Sequence, residues 1–178
     1  LLERFQDDPR LSAWLRSALQ QGREATQSNW WNNFPESDRP GGSTYESKHF
    51  AGFARSIALT SFLYRLTGDP DFRQAKTLAL KMASFPKGGA TSPEYHGGDD
   101  KLATQITEFL ALACDWWYPD LNDSEREALL RAIAWRLEAT YLEKGSWAAG
   151  SDMYFRSVSM LSGSHPYENF MWSLPAVL

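Results

Sequence analysis

The residues best suited to chemistry lie near the end of the chain, in SGSHPYENFMW (162–172). His165 and Glu168 are three residues apart, so a helix places both side chains on one face. A histidine there can pair with a carboxylate or transfer a proton, and a carboxyl group in apolar surroundings tends to stay protonated. The same spacing also suits helix capping, with Pro166 at the first helical position. Spacing alone leaves both roles open.

Irregular segments carry further candidate residues. His96 lies in SPEYHGGDD, where it is either part of a solvated turn or a substrate contact. The polar stretch TQSNWWNNFPESDRPGGS predicts a long loop that exposes Trp30 and Trp31, and a later irregular stretch contains Trp147 and Tyr154. Aromatic rings offer flat apolar faces to sugar rings. We therefore expect the three tryptophans to face a ligand, with Tyr154 as a further ligand contact.

The histidines and the single cysteine do not predict a metal site or a disulfide. Zinc needs three or four ligands, and His49 and His96 have no histidine or cysteine partner close in sequence. His49 is expected on a helix surface or in packing. Cys114 lies in FLALACDWW, a context typical of a small buried hydrophobe. No cofactor is expected in this chain.

Length and composition indicate one domain, residues 1–178, with an ordinary apolar content of 43%. The net charge of −4 argues against non-specific nucleic-acid binding, which needs a basic face. No run approaches the roughly 20 apolar residues of a membrane span, and no signal peptide is visible. Because the chain begins with Leu1 instead of methionine, we expect a processed or trimmed polypeptide.

Helical periodicity dominates the chain and predicts an all-α fold. Asp8 and Pro9 are typical of a helix start, and Leu15 and Leu19 follow at helical spacing. The pattern predicts later helices over about 46–66, 70–85, 100–118 and 122–142.

Two predicted turns recur about fifty residues apart. RLTGDPD (65–71) ends one helix at Gly68, and YPDLNDSE (118–125) opens another with a capping box formed by Asn122 and Glu125. This period indicates helix hairpins, as in an α/α toroid or a solenoid. We expect the hairpins to form part of an incomplete α/α toroid.

Three segments resemble the N-terminal helical domain of the heparinase II/III-like polysaccharide lyases. They lie between about Tyr45 and Leu178 and read YESKHFAGFARSIALTSFLYRLTGDPDF, ATQITEFLALACDWWYPDLNDSEREALLRAI and SHPYENFMWSLPA. In that family an α/α toroid packs against a β-sandwich domain and uronic-acid polysaccharides are cleaved by β-elimination. The resemblance implies a sulfated glycosaminoglycan, alginate-like or ulvan-like substrate and a periplasmic or secreted location.

The resemblance also assigns roles to particular residues. His165 matches the histidine that helps neutralise the uronate carboxylate, and Glu168 matches the acidic residue beside it in the heparinase II branch. Ser164 stands where many relatives have asparagine, and with Asn169 it is assigned to substrate binding. The family's catalytic tyrosine and second histidine fall beyond Leu178. The chain is therefore expected to be an inactive fragment that needs a C-terminal β domain of the same polypeptide.

Two other classes stay open. A glycoside hydrolase on the same toroid needs two carboxylic acids roughly 5 to 10 Å apart. Its candidate residues are Glu94, Asp99, Asp100 and Asp152. A non-catalytic helical scaffold or sugar-binding module would instead keep its binding after loss of His165 and Glu168.

Overall fold

The computed structural model describes residues 7–38, 44–92 and 100–141, with side chains described over 7–38, 49–92 and 105–138. These residues are mostly helical and include no strand, so the predicted all-α class is confirmed for them. The helices are α1 (Pro9–Gln27), α2 (Asn29–Asn32), α3 (Thr44–Thr67), α4 (Gln74–Ala83), α5 (Asp100–Trp117) and α6 (Asp123–Tyr141). Short 3-10 turns cover Pro70–Phe72 and Tyr118–Asp120.

Local sequence signals set the starts of α1 and α6. The Asp8 carboxylate accepts a hydrogen bond from the Arg10 amide at 2.8 Å, and this satisfies a donor that the first helical turn leaves unpaired. At α6, Asn122 Oδ1 accepts from the Glu125 amide while Glu125 Oε2 accepts from the Asn122 amide, both at 2.9 Å. The predicted helix start at Asp8 and the predicted capping box are both confirmed.

The connection from α3 to α4 differs in detail from its prediction. Helix α3 ends at Thr67, and the predicted stop Gly68 follows it with a left-handed φ of 71° that glycine adopts without strain. The predicted single helix from residue 70 to 85 is instead a 3-10 turn followed by α4, which begins at Gln74. The turn begins at the Asp69 cap with Pro70 at its first position, and its Phe72 ring is fully buried in a cluster that contains Leu15 and Leu63.

Helices α3–α4 and α5–α6 form two hairpins that lie side by side. Helix α3 packs mainly on α5, and α4 packs on α6. The turns with related sequences contact each other at one end, where Lys76 Nζ lies 2.8 Å from the Glu125 carboxylate and donates to the Asp120 carbonyl at 2.9 Å. Arg65 adds an ion pair to Asp120 at 3.3 Å. The start of α3 and the end of α4 therefore lie at the opposite end of the first hairpin.

The core lies between the two hairpins, and α1 packs across α3. Helix α1 approaches α3 at Gly22, where a Cβ would lie 2.5 Å from Leu63 Cδ1. Cys114 is buried in the main core, which confirms its predicted role as a small hydrophobe. The buried Trp117 indole donates to Ser61 Oγ at 2.8 Å, so its polar nitrogen is satisfied.

Candidate functional site

A network of buried polar side chains lies at the end of the hairpins away from the two turns. Asp38, Thr91 and Arg136 are 2%, 0% and 0% exposed. The Thr91 amide and hydroxyl both donate to Asp38 Oδ2, at 2.8 and 2.6 Å. Arg136 donates from Nη2 to the Thr91 hydroxyl at 3.2 Å and from Nη1 to the Ala132 carbonyl at 3.3 Å. The Thr91 hydroxyl therefore connects a buried carboxylate with a buried guanidinium.

The backbone of the loop after α4 lies against this carboxylate. A Cβ at position 89 would overlap the Asp38 carboxyl group, so only glycine fits there without a shift. Oδ1 of Asp38 has no hydrogen-bond partner within the described residues. A buried polar atom left unpaired costs about 1–3 kcal/mol and is uncommon in folded proteins. The network therefore differs from ordinary apolar packing in two ways. The backbone at Gly89 lies directly against the Asp38 carboxyl group, and a buried polar atom lowers stability.

An aromatic cluster occupies the same end of the hairpins. Trp30 stacks on Phe53 with ring centroids 4.4 Å apart and an angle of 19° between planes. Phe34 stacks on Phe85 at 5.9 Å and 12°, and Phe85 meets Phe50 edge-on at 5.6 Å. These contacts join α2 and the segment after it to the first turns of α3 and to the end of α4. The cluster therefore holds residues 29–34 against α3 and against the residue that follows α4.

The segment 29–38 is also held along α4 by polar contacts. Gln74 Nε2 donates to the Trp31 carbonyl at 3.3 Å, and Lys81 Nζ donates to the Phe34 carbonyl at 2.9 Å. The Trp31 carbonyl lies in the last turn of α2 and the Phe34 carbonyl lies after it, so neither requires an intrahelical donor, and these bonds hold the backbone itself. The segment is thus anchored at its start, at its middle and, through the buried network, at its end.

Trp30 and Trp31 are the predicted site residues that lie among the described ones, and the predicted loop around them is corrected. They lie on helix α2, where Asn33 Nδ2 donates to Asn29 Oδ1 at 2.7 Å and supports the helical turn. Trp31 is 1% exposed within the core, so its ring offers no face to a ligand in this structure. Trp30 is half-buried, and one face of its indole covers Phe53. The polar neighbours that suggested a loop stabilise a turn that directs Trp31 inward.

The remaining predicted site residues lie outside the described residues. They are His96, Trp147, Tyr154, Ser164, His165, Glu168 and Asn169, together with the hydrolase candidates Glu94, Asp99 and Asp152 and the side chain of Asp100. His49 is exposed on α3 with its ring 6.2 Å from Phe53, as expected for a helix-surface residue.

The described residues contain neither a metal-ligand cluster nor a membrane-spanning helix. No cluster of three or more histidine, cysteine, aspartate or glutamate side chains that could hold a metal ion occurs among them. No helix within the described ranges is long and apolar enough to cross a membrane.

Electrostatic effects of burial fall mainly on α5. Burial raises the pKa of Glu108 above its ordinary value of 4.5, so its neutral form is favoured. Burial also raises the pKa of the Cys114 thiol, and the neighbouring Asp115 carboxylate acts in the same direction. Both shifts favour uncharged side chains along this helix, which makes Cys114 a weak nucleophile.

Sequence reasoning did not identify Asp38, Gly89, Thr91 or Arg136. One signal was available: Arg136 follows Leu129 and Ala132 on the apolar stripe of α6, at spacings of i+7 and i+4. A charge on such a stripe indicates a buried polar contact. Asp38 and Thr91 gave no comparable signal, because both lie in polar segments that resemble solvated loops.

No protein-family model, curated protein or solved structure matches this chain.

Proposed function

We propose that this chain is the helical domain of a polysaccharide lyase that cleaves a uronic-acid-containing polymer by β-elimination. The observation that carries the proposal is the pair of stacked hairpins α3–α4 and α5–α6, whose related turns meet at one end. Repeated hairpins of this kind build the α/α toroid of the heparinase II/III-like lyases, which the chain also resembles in three segments. We propose that the hairpins continue into such a toroid.

The chemistry explains why a histidine and an acid are needed together. Elimination transfers the C5 proton of the uronate to a base, forms a C4–C5 double bond and breaks the bond between C4 and the glycosidic oxygen. The adjacent carboxylate opposes this step, since a second negative charge develops next to the first. His165, a protonated Glu168 and the positive end of a helix lower that cost by neutralising the carboxylate.

The base and the proton donor require a further group. Tyrosine has an ordinary pKa near 10, so it serves as a base only beside positive charge. It can then return a proton to the departing glycosidic oxygen, which balances the reaction. By resemblance this tyrosine lies beyond Leu178, and the proposed active enzyme is therefore the full-length polypeptide.

Trp30 is the described aromatic residue that we assign to substrate binding. One face of its indole covers Phe53, so a sugar ring would contact the part of the indole that remains exposed. Trp31 is not assigned this role, because its side chain is buried in the core. The proposed substrates are heparan sulfate, alginate or ulvan, and the proposed location is periplasmic or secreted.

The test incubates the full-length protein with each of the three polymers and follows the near-ultraviolet absorbance of the unsaturated uronyl end. We expect absorbance to grow with one polymer and to be lost in His165→Ala. Arg131→Ala is the control, since it removes an exposed side chain of α6 that belongs to neither the aromatic cluster nor the buried network, and it should retain the signal. Reducing ends without absorbance would support the hydrolase. Glycan binding without cleavage, unaffected in His165→Ala, would support the binding module.

A further inference from the structure

We infer that Asp38, Thr91 and Arg136 are positioning residues of the proposed lyase site. They act by fixing the loop 89–92 against the segment 29–38, which contains Trp30. The inference rests on the proposed function and adds three residues that the family resemblance does not assign.

The Thr91 hydroxyl joins three separate parts of the chain. Thr91 belongs to the loop after α4, Asp38 to the segment before α3, and Arg136 to the last turns of α6. Since Thr91 donates from its backbone and its side chain to one oxygen, the orientation of its peptide is fixed along with its rotamer. Buried hydrogen bonds of this kind are strengthened by the low dielectric around them.

The network is connected to a proposed substrate contact, because Asp38 and Trp30 lie in the same segment, residues 29–38. Asp38 ends the segment in which Trp30 stacks on Phe53 and Lys81 binds the Phe34 carbonyl. The bond from Thr91 to Asp38 therefore holds the end of the segment whose start and middle are held by the aromatic cluster and Lys81. On the other side of the network, Ser92 is buried and directly precedes the segment of the sequence that contains His96.

Burying charged side chains in this network costs more desolvation free energy than apolar side chains of similar volume would. Apolar side chains in place of buried charged groups are often neutral or stabilising, because they avoid the desolvation of charge. Here the charged groups are retained, one carboxylate oxygen has no donor among the described residues, and a side chain at position 89 would require a shift of Asp38. Hydrogen bonds are directional, so the polar groups hold the loop and the segment in one geometry, whereas apolar packing would allow several. A substrate site needs such a fixed geometry.

The test compares Thr91→Val with Thr91→Ser in the full-length protein. Valine has nearly the shape of threonine but lacks the hydroxyl, whereas serine keeps the hydroxyl and loses a methyl group. Initial rates on the polymer that the wild-type protein cleaves give kcat and KM separately, at a temperature where circular dichroism shows each variant fully folded. We expect Thr91→Val to raise KM and to lower kcat/KM by up to about 100-fold, since small misplacements of binding groups have effects of this size.

The KM of the conservative variant Thr91→Ser distinguishes a positioning role of the network from a purely stabilising one. Thr91→Ser should keep the wild-type KM, because Arg136 and Asp38 retain their shared partner. A purely structural role would reduce the amount of folded enzyme, which lowers the apparent kcat and leaves KM unchanged. If Thr91→Val does not fold, Arg136→Lys takes its place, since lysine keeps the charge without the two-nitrogen fork and should also raise KM.

Three outcomes would overturn the inference. If Thr91→Val or Arg136→Lys has the wild-type KM, the positioning role is overturned and the proposed lyase function is unaffected. An equal rise of KM in Thr91→Ser and Thr91→Val would exclude the hydroxyl as the cause. Absence of cleavage by the wild-type protein would overturn the inference and the proposed lyase together, so the two failures are distinguishable.

Discussion

Thr91 donates both its backbone amide and its hydroxyl to a single carboxylate oxygen of Asp38, at 2.8 and 2.6 Å and across 53 positions of the chain. The chain between these residues contains the whole of the α3–α4 hairpin. The contact therefore joins the entry and the exit of that hairpin, and Arg136 of the second hairpin binds the same hydroxyl. Closing a loop of this length costs entropy, which buried hydrogen bonds must offset.

The fit around Asp38 predicts a large effect of a single methyl group. Gly89→Ala places a Cβ on the Asp38 carboxyl group, which cannot move away without losing its bonds to Thr91. We expect the free energy of unfolding to fall by about 1–3 kcal/mol, the usual cost of overpacking. Urea unfolding measures it.

Gly52→Ala is the control for this change. Gly52 lies in α3 with no atom near its would-be Cβ, so alanine should stabilise the protein by about 0.5–1 kcal/mol through helix propensity. Equal effects of the two substitutions would contradict the close packing at position 89.

The buried hydrogen bond between Trp117 and Ser61 predicts non-additive substitutions. Ser61→Ala leaves the indole N–H of Trp117 without its acceptor, so we expect a loss of about 1–3 kcal/mol in the free energy of unfolding. In a Trp117→Phe background there is no N–H to satisfy, and the same substitution should cost much less. A double-mutant cycle by urea unfolding measures the difference. An equal cost in both backgrounds would show that this bond contributes nothing.

The contact between the two turns predicts a loss of stability in acid. The hydrogen bond from Lys76, and then that from the Asn122 amide, lowers the pKa of Glu125 below its ordinary value of 4.5. The contribution of the ionised carboxylate is therefore fully present above 4.5 and is lost as pH falls through the lower folded-state pKa. Glu125→Gln keeps the capping geometry and removes the charge. It should lower stability at neutral pH and have no effect in strong acid.

Glu127→Gln is the matched control for this prediction. Glu127 pairs with Arg131 on the exposed face of α6, where an ion pair contributes little, about 0.3–0.5 kcal/mol. Urea unfolding of both variants across acid and neutral pH gives the comparison. A Glu125→Gln effect that is the same at all pH values would show that charge is not its cause.

Glu108 predicts the opposite pH dependence. Its pKa is raised by burial, so the folded state binds this proton more tightly than the unfolded state. Stability therefore decreases as pH rises through 4.5 towards the folded-state pKa, and the penalty persists at neutral pH. We expect Glu108→Gln to raise the melting temperature at neutral pH and to match the wild-type protein in acid below 4.5. A lower melting temperature at neutral pH would indicate that the carboxylate has a stabilising partner.

Features set by neighbouring residues could be predicted from the sequence. The Asp8 cap, the Asn122–Glu125 capping box and the glycine at 68 depend on contacts within a few positions, and all three are present. The α3–α4 connection was less predictable, since its 3-10 turn buries Phe72 in a cluster with the distant residue Leu15, a contact that the local sequence does not show.

Long-range features were not predictable from local patterns. The polar residues around Trp31 resemble a loop, yet the tertiary fold buries its ring under other helices. Likewise, Asp38 and Thr91 become partners only when the α3–α4 hairpin closes, so neither shows its role in its own segment. The buried site was therefore visible in sequence only as a charge at Arg136 on an apolar stripe.

The masses of the cleavage products distinguish the proposed elimination from hydrolysis. The full-length protein is incubated with a uronate oligosaccharide of defined length, prepared from the polymer that it cleaves, and the fragments are weighed by mass spectrometry. Elimination adds no water, so the masses of the two fragments should sum to that of the substrate, and both fragments should be absent with His165→Ala. A sum larger by one water molecule would overturn the proposed elimination and identify a hydrolase.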